Sequence, residues 1–235
     1  QAFSFLAGAP DELPEPVSKG LNLGFSQIAD KPSSTIALVG GQVVTMRDAD
    51  NAQEVISNGV VVVQDNRIVA VGKVGEVSIP AEAQIIDVSG KTLTPGLIDG
   101  HAHGSQANEE IIPQQNWKNL SSLAFGVTTI HDPSNNSSEI FAASEMQRSG
   151  QILGPRIFST GTIVYGANSP TAHAKIDSYE DAFFHLQRLK DMGAVSVKSY
   201  NQPRREQRQQ VLNAARDLEL MVVPEGGGKL YQNMS

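Results

Sequence analysis

The feature that most constrains this chain is an alternation that begins at Pro95 and runs to Pro224: short β-branched or apolar runs separated by longer segments of helical period. Leu97–Gly100, Gly126–Ile130, Arg156–Thr160, Ala194–Tyr200 and Leu220–Val223 read as strands. Gln115–Phe125 and Ser138–Ser149 read as helices, and two further helices are opened by Ser178 (with Asp181 three residues on) and by Pro203. Trp117, Leu120, Leu123 and Ala124 should face inward from the first helix. Phe183, Leu186, Leu189 and Met192 should do so from the third, and Val211, Leu212, Ala215 and Leu218 from the fourth. Strands joined by helices of this length pair in parallel, because a parallel pair needs a crossover that a tight turn cannot supply. Gly161–Asp177 reads as one long loop.

The chain before Pro95 has a different grammar. Residues 1–34 are rich in Pro, Gly, Ser and Asp and read as an extended lead-in, with Phe3, Phe5, Leu6, Leu21, Leu23 and Phe25 available to lie on something larger. Residues 35–94 carry short strands with glycine breaks and no helical period. Gly59–Val63 and Arg67–Gly72 flank Gln64-Asp65-Asn66 as a hairpin, and Ile85–Val88 is a further strand. That pattern predicts a small β-sandwich.

Chemistry concentrates where the strands end, which is where parallel α/β folds place their sites. His101 and His103 follow the first strand. Side chains of an extended chain alternate with period two, so both imidazoles point to one face and can share a metal ion. On the fourth strand, Lys198 faces the same way as Ser196 and Tyr200, into the interior. A lysine there is costly unless paired or neutralised. Two readings stand: the stem is buried and the ammonium reaches water, or a neutral amine takes up carbon dioxide and becomes an anionic oxygen donor. Glu225, after the fifth strand, is an oxygen ligand or a loop residue capping the next helix. His131 and Asp132 close the second strand, in structural roles or orienting substrate or a metal ligand. His173, in the long loop, touches substrate or is solvated. His185 lies inside a helix and is given no chemistry, and Arg204, Arg205 and Arg208 form a solvated basic face.

Composition trims the options. The chain has 235 residues, a globular balance of 40% hydrophobic and 18% charged residues, and a net charge of -7 that argues against non-specific nucleic-acid binding. It has no cysteine, so a metal site must use histidine, carboxylate or modified lysine. No apolar run is long enough for a membrane helix, so no membrane partner is expected, and the compartment stays open.

Lys91-Thr92-Leu93-Thr94-Pro95-Gly96-Leu97-Ile98-Asp99-Gly100-His101-Ala102-His103 resembles the first-strand motif of the amidohydrolase superfamily of metal-dependent hydrolases, in particular its imidazolonepropionase-like and prolidase-like group. The resemblance implies a (β/α)8 barrel beside a β-sandwich. It implies that His101 and His103 bind the more buried metal and that Lys198, carboxylated, bridges two metals. The carboxylated-lysine subfamilies usually have a histidine after the fifth strand, where this chain has Glu225, so both the metal count and the second metal stay open. The implied cofactor is a divalent metal, zinc first among the choices, as one or two ions. The implied reaction is attack of metal-activated water on an amide or cyclic amide C–N bond of a small-molecule substrate.

A complete barrel takes about 250 residues, more than follow His101. The expectation is therefore the N-terminal half of a barrel over residues 95–235, the sandwich part over 35–94, and the family's sixth-strand histidine and eighth-strand aspartate lying beyond the chain. No catalytic residue is assigned within it. The alternatives are a non-catalytic fragment or a binding scaffold that forms a homo-oligomer or needs a complementing C-terminal portion.

Overall fold

A computed structural model describes residues 33–47, 54–170 and 172–225. The expected lead-in, residues 1–34, falls almost wholly outside them.

The first region is one five-stranded sheet. β1 (Thr35–Val44) is its centre. On one edge it runs antiparallel to β2 (Val55–Gln64), which pairs with β3 (Arg67–Lys73). On its other edge it runs parallel to β4 (Gln84–Asp87) and, further along, to β5 (Thr92–Leu93). The expected hairpin turn is present: Asp65 and Asn66 have φ of 46° and 65°. Short polar residues tolerate this left-handed region, and two in succession match the strand twist. Ala37, Val60 and Val62 are buried on one face, with Val39, Ala70, Val77, Ile79 and Ala83 packed on them. The register puts Leu38, Val61, Val71 and Ile86 together on the opposite face. Val71 and Ile86 are exposed there, and Ile68 is 67% exposed. Among the described residues the region where the strand pattern predicts a sandwich shows one sheet, with Val61 also buried on its second face. Alternation in the sequence marks which residues share a face and cannot supply the second layer.

The second region is parallel throughout. Its elements are β6 (Leu97–Asp99), α1 (Trp117–Ala124), β7 (Val127–Asp132), α2 (Ser137–Arg148), β8 (Arg156–Ser159), β9 (Val164–Tyr165), β10 (Ala174–Lys175), α3 (Tyr179–Asp191), β11 (Ser196–Ser199), α4 (Arg205–Asp217) and β12 (Met221–Pro224). The strands form two sheets, β6-β7-β8 and β10-β9-β11-β12. The strands of the expected barrel wall therefore form two ladders among the described residues, with β11 paired to β9 and β12. β9 and β10 lie in the stretch read as a loop, because two-residue strands carry no readable period. The core gathers Ile140 from α2, Leu186 and Leu189 from α3, Val197 from β11, and Val211 and Ala214 from α4, all fully buried. Each of the Ile, Leu and Val side chains contributes about 1.5–3 kcal/mol on burial.

Ser178 caps α3 as expected. Its hydroxyl accepts from the Asp181 amide at 3.0 Å, and the Asp181 carboxylate accepts from the Ser178 amide at 3.2 Å. Three packing expectations are corrected. Trp117 is 72% exposed and Ala124 is exposed; the buried residue of α1 is Asn119, which exchanges amide hydrogen bonds with buried Gln106 at 3.0 and 3.3 Å. Leu212 is 50% exposed while Ala214 is buried, since Val211, Ala214, Ala215 and Leu218 share the inner face. α4 begins at Arg205, two residues after Pro203.

Two buried amides tie down the segment between β8 and α3. Gln202 donates to the Val164 carbonyl and accepts from the Gly166 amide, both at 2.8 Å. Gln207 donates to the Gly166 carbonyl at 2.8 Å. A β-carbon on Gly166 would meet the Gln207 amide at 2.0 Å, so a side chain here would push Gln207 out of its bond to Gly166.

Candidate metal centre

The residues that could carry chemistry sit at or just beyond the C-terminal ends of β6, β7, β11 and β12. Beyond β6 the chain turns at Gly100, with the His101 amide donating to the Asp99 carboxylate at 3.0 Å. The Ala102 amide donates to the His131 carbonyl at 3.0 Å, which docks this stretch on β7. Ala102 is buried while His101 and His103 on either side are exposed. This is the alternation expected of an extended chain, and it brings the two imidazoles edge to face with centroids 4.9 Å apart.

Asp132, at the end of β7, is 1% exposed. Its Oδ1 lies 3.3 Å from His103 Nδ1 and accepts from the Ser134 amide at 3.0 Å. Its Oδ2 accepts from Asn135 Nδ2 at 2.7 Å. Both oxygens are engaged and away from solvent, which leaves Asp132 turned toward His103. A carboxylate only accepts, so this contact is a hydrogen bond when His103 carries a proton on Nδ1. His131 points the other way, its Nε2 2.7 Å from Ser196 Oγ on β11. That bond joins the two parallel sheets.

Lys198 is the largest of the fully buried side chains, and its Nζ lies 2.6 Å from Glu225 Oε2. Parallel register makes the pair: Lys198 sits opposite Val223, Ser199 opposite Pro224, and the Glu225 amide donates to the Ser199 carbonyl at 3.0 Å. Glu225, 37% exposed at its side chain, thus turns back over β11. Contrary to the reading in which the ammonium reaches water, the head of Lys198 does not reach it; it meets a carboxylate in hydrogen-bond range. His173 is half-buried, its ring 5.9 Å from Tyr165, which in turn lies 5.4 Å from Tyr200. The basic face is not wholly solvated either, since Arg204 pairs with Asp177 and Arg208 donates to the Gln202 carbonyl.

The four expected metal donors come together two by two, His101 with His103 and Lys198 with Glu225. Among the described residues no three His, Cys, Asp or Glu side chains form a metal-holding group. The donor chemistry fits a borderline divalent ion: imidazole nitrogen with its tautomer set by a carboxylate, and carboxylate oxygen. Lys198 fits as well. A carbamate on its nitrogen would face Glu225 as a second negative charge, an arrangement that a cation between them compensates. Sequence reasoning missed Asn135, which bonds Gly104 31 residues away as well as nearby Asp132, and the Gln202–Gln207 clamp, whose partners Val164, Gly166 and Ile176 lie 31 or more residues away.

No protein-family model matches the chain. It is 42% identical over 82 residues to an imidazolonepropionase of Fusobacterium nucleatum, a match covering 29% of this chain and 20% of that protein. An imidazolonepropionase of Bacillus cereus matches at 27% identity over 177 residues, covering 70% of this chain and 34% of that one. The chain thus spans between a fifth and about a third of the curated relatives it matches. Among solved structures, a candidate prolidase from Bifidobacterium longum superposes with a TM-score of 0.64 at 25% identity, over 82% of this chain and 49% of that one. A molinate hydrolase superposes at 0.66 and 18% identity, over 85% and 55%.

Proposed function

The chain is related to the amidohydrolase superfamily over the part of those proteins that it covers, and on that premise we propose that it carries metal-binding residues of a hydrolase that breaks an amide or cyclic amide C–N bond in a small molecule. One observation carries the reading most: Lys198, fully buried in a parallel strand, faces a single carboxylate at the strand ends where His101 and His103 also emerge.

In this reading His101, His103, Lys198 and Glu225 hold a divalent ion, zinc by donor type. When bound, such an ion supplies Lewis acidity to a carbonyl and lowers the pKa of a water. The protein's own residues do the rest. Asp132 holds His103 with Nε2 outward. The Lys198 ammonium would first lose a proton; its amine would then form a C–N bond to carbon dioxide and release a second proton, so a cationic side chain becomes an anionic donor. Tyr165, His173 and Tyr200 line one approach and orient the substrate, and His131 is held back from it by Ser196.

The test is metal content of the whole chain purified without chelator, for the wild type, His101→Ala and Lys198→Ala. Zinc that is retained by the wild type and lost from both variants supports the reading. Equal metal in all three, or none in the wild type, ends it.

A further inference from the structure

We propose that Asn135 is a positioning residue of the metal centre: it sets which nitrogen His103 presents. The proposal rests on His103 being a ligand, and it deepens that reading by one more shell.

The Asn135 amide nitrogen is shared between two acceptors, Asp132 Oδ2 at 2.7 Å and the Gly104 carbonyl at 2.9 Å. Gly104 directly follows His103. One NH2 group therefore holds both the carboxylate behind the imidazole and the backbone that carries it. Because both neighbours only accept, the amide can sit just one way round. Its Oδ1 accepts from the Asn136 amide at 2.8 Å, and its own backbone N–H donates to the Gly161 carbonyl at 3.2 Å. The Asn135 backbone is thus anchored to the chain just beyond β8.

The consequence falls on Asp132. With Oδ2 taken by Asn135 and Oδ1 by the Ser134 amide, the carboxylate has one rotamer, and its remaining capacity points at His103 Nδ1. His103 is 54% exposed at its side chain, so packing alone does not set its ring. Without the Asn135 NH2, Asp132 is free to turn, Gly104 loses its tie, and the ring loses the acceptor that keeps the proton on Nδ1. Partners of this kind behind metal-binding histidines change metal affinity by about 10–100-fold.

The experiment has two independent readouts on the whole chain, wild type, Asn135→Ala and Asn135→Asp. The first is the tautomer of His103 in metal-free protein, from long-range proton–nitrogen correlations above the histidine titration range, assigned with His103→Ala. The expected result is an Nδ1–H ring in the wild type and a mixture in both variants. A wild-type ring protonated on Nε2, or a single unchanged tautomer in either folded variant, overturns the proposal. The second is zinc affinity by competition with a chromophoric chelator, expected to fall about 10–100-fold in the variants; unchanged affinity also overturns it. A wild type that binds no zinc ends the metal reading, and the tautomer result still decides the role of Asn135.

Discussion

The two donor pairs solve the same problem in opposite ways. His101 and His103 stand in the open on an extended stretch beyond β6, and their geometry comes from behind, through Asp132, Ser134, Asn135 and the Gly104 carbonyl. Lys198 and Glu225 meet at the end of a parallel ladder, Lys198 sealed from water, and their geometry comes from strand register. An exposed imidazole costs little to fold around and needs external ties to point. A buried ammonium is pointed by its strand but costs several kcal/mol unless a charge faces it. The first pair should therefore matter to metal and little to stability, and the second to both.

The sharpest way to break that contrast is truncation. Lys198→Ala removes a fully buried stem as well as a charge, and is expected to cost about 3 kcal/mol in urea unfolding, as other long core side chains do. Lys198→Met keeps the volume and should cost under about 1 kcal/mol. Equal costs for both would mean that packing does not hold this position. Glu225→Gln comes next. It leaves the buried ammonium facing a neutral amide, and the expected loss is about 2 kcal/mol, below the full penalty for breaking a buried pair because Glu225 is partly in water. A double-mutant cycle with Lys198→Met should recover most of it.

At the other pair, His101→Ala and His103→Ala should each shift unfolding by no more than about 0.5 kcal/mol, since both are exposed and Asp132 keeps two other donors. A loss near that of Lys198→Ala would erase the distinction. The smallest effect is a background that any acid titration must subtract. Burial, then the charge of Arg188, holds the His185 imidazole below its ordinary value of 6.5. The fold prefers it neutral, so its contribution is complete above the unfolded pKa and is lost as pH falls toward the folded one. Melting temperature should drop more between pH 7.5 and 5.5 in the wild type than in His185→Gln. A larger drop in the variant would reverse the sign.

Much of this was legible along the chain, because it depends on neighbours within a few residues. The β/α alternation, the shared side of His101 and His103, the Asp65-Asn66 turn and the Ser178–Asp181 cap are all set by local period and local hydrogen bonding. They reappear in the structure where the spacing puts them. The misplaced helix faces have one cause. Trp117 and Leu212 fit a helical stripe by spacing, yet which stripe turns inward depends on what the helix packs against. The strand pattern of residues 35–94 was clear, but the number of layers was not, since pairing partners lie far along the chain.

The sequence by itself determined that a lysine sits on the inner face of a strand and that two histidines share a side, because those are properties of a single chain's geometry. Only the tertiary structure decided that Lys198 would meet Glu225, that Asp132 would turn to His103 and that Asn135 would hold both Asp132 and Gly104. Those contacts depend on parallel register and on loops from separate strands arriving together. Charges and hydrogen-bond donors at strand ends are satisfied by whatever long-range placement brings near, and spacing within one strand carries no record of it.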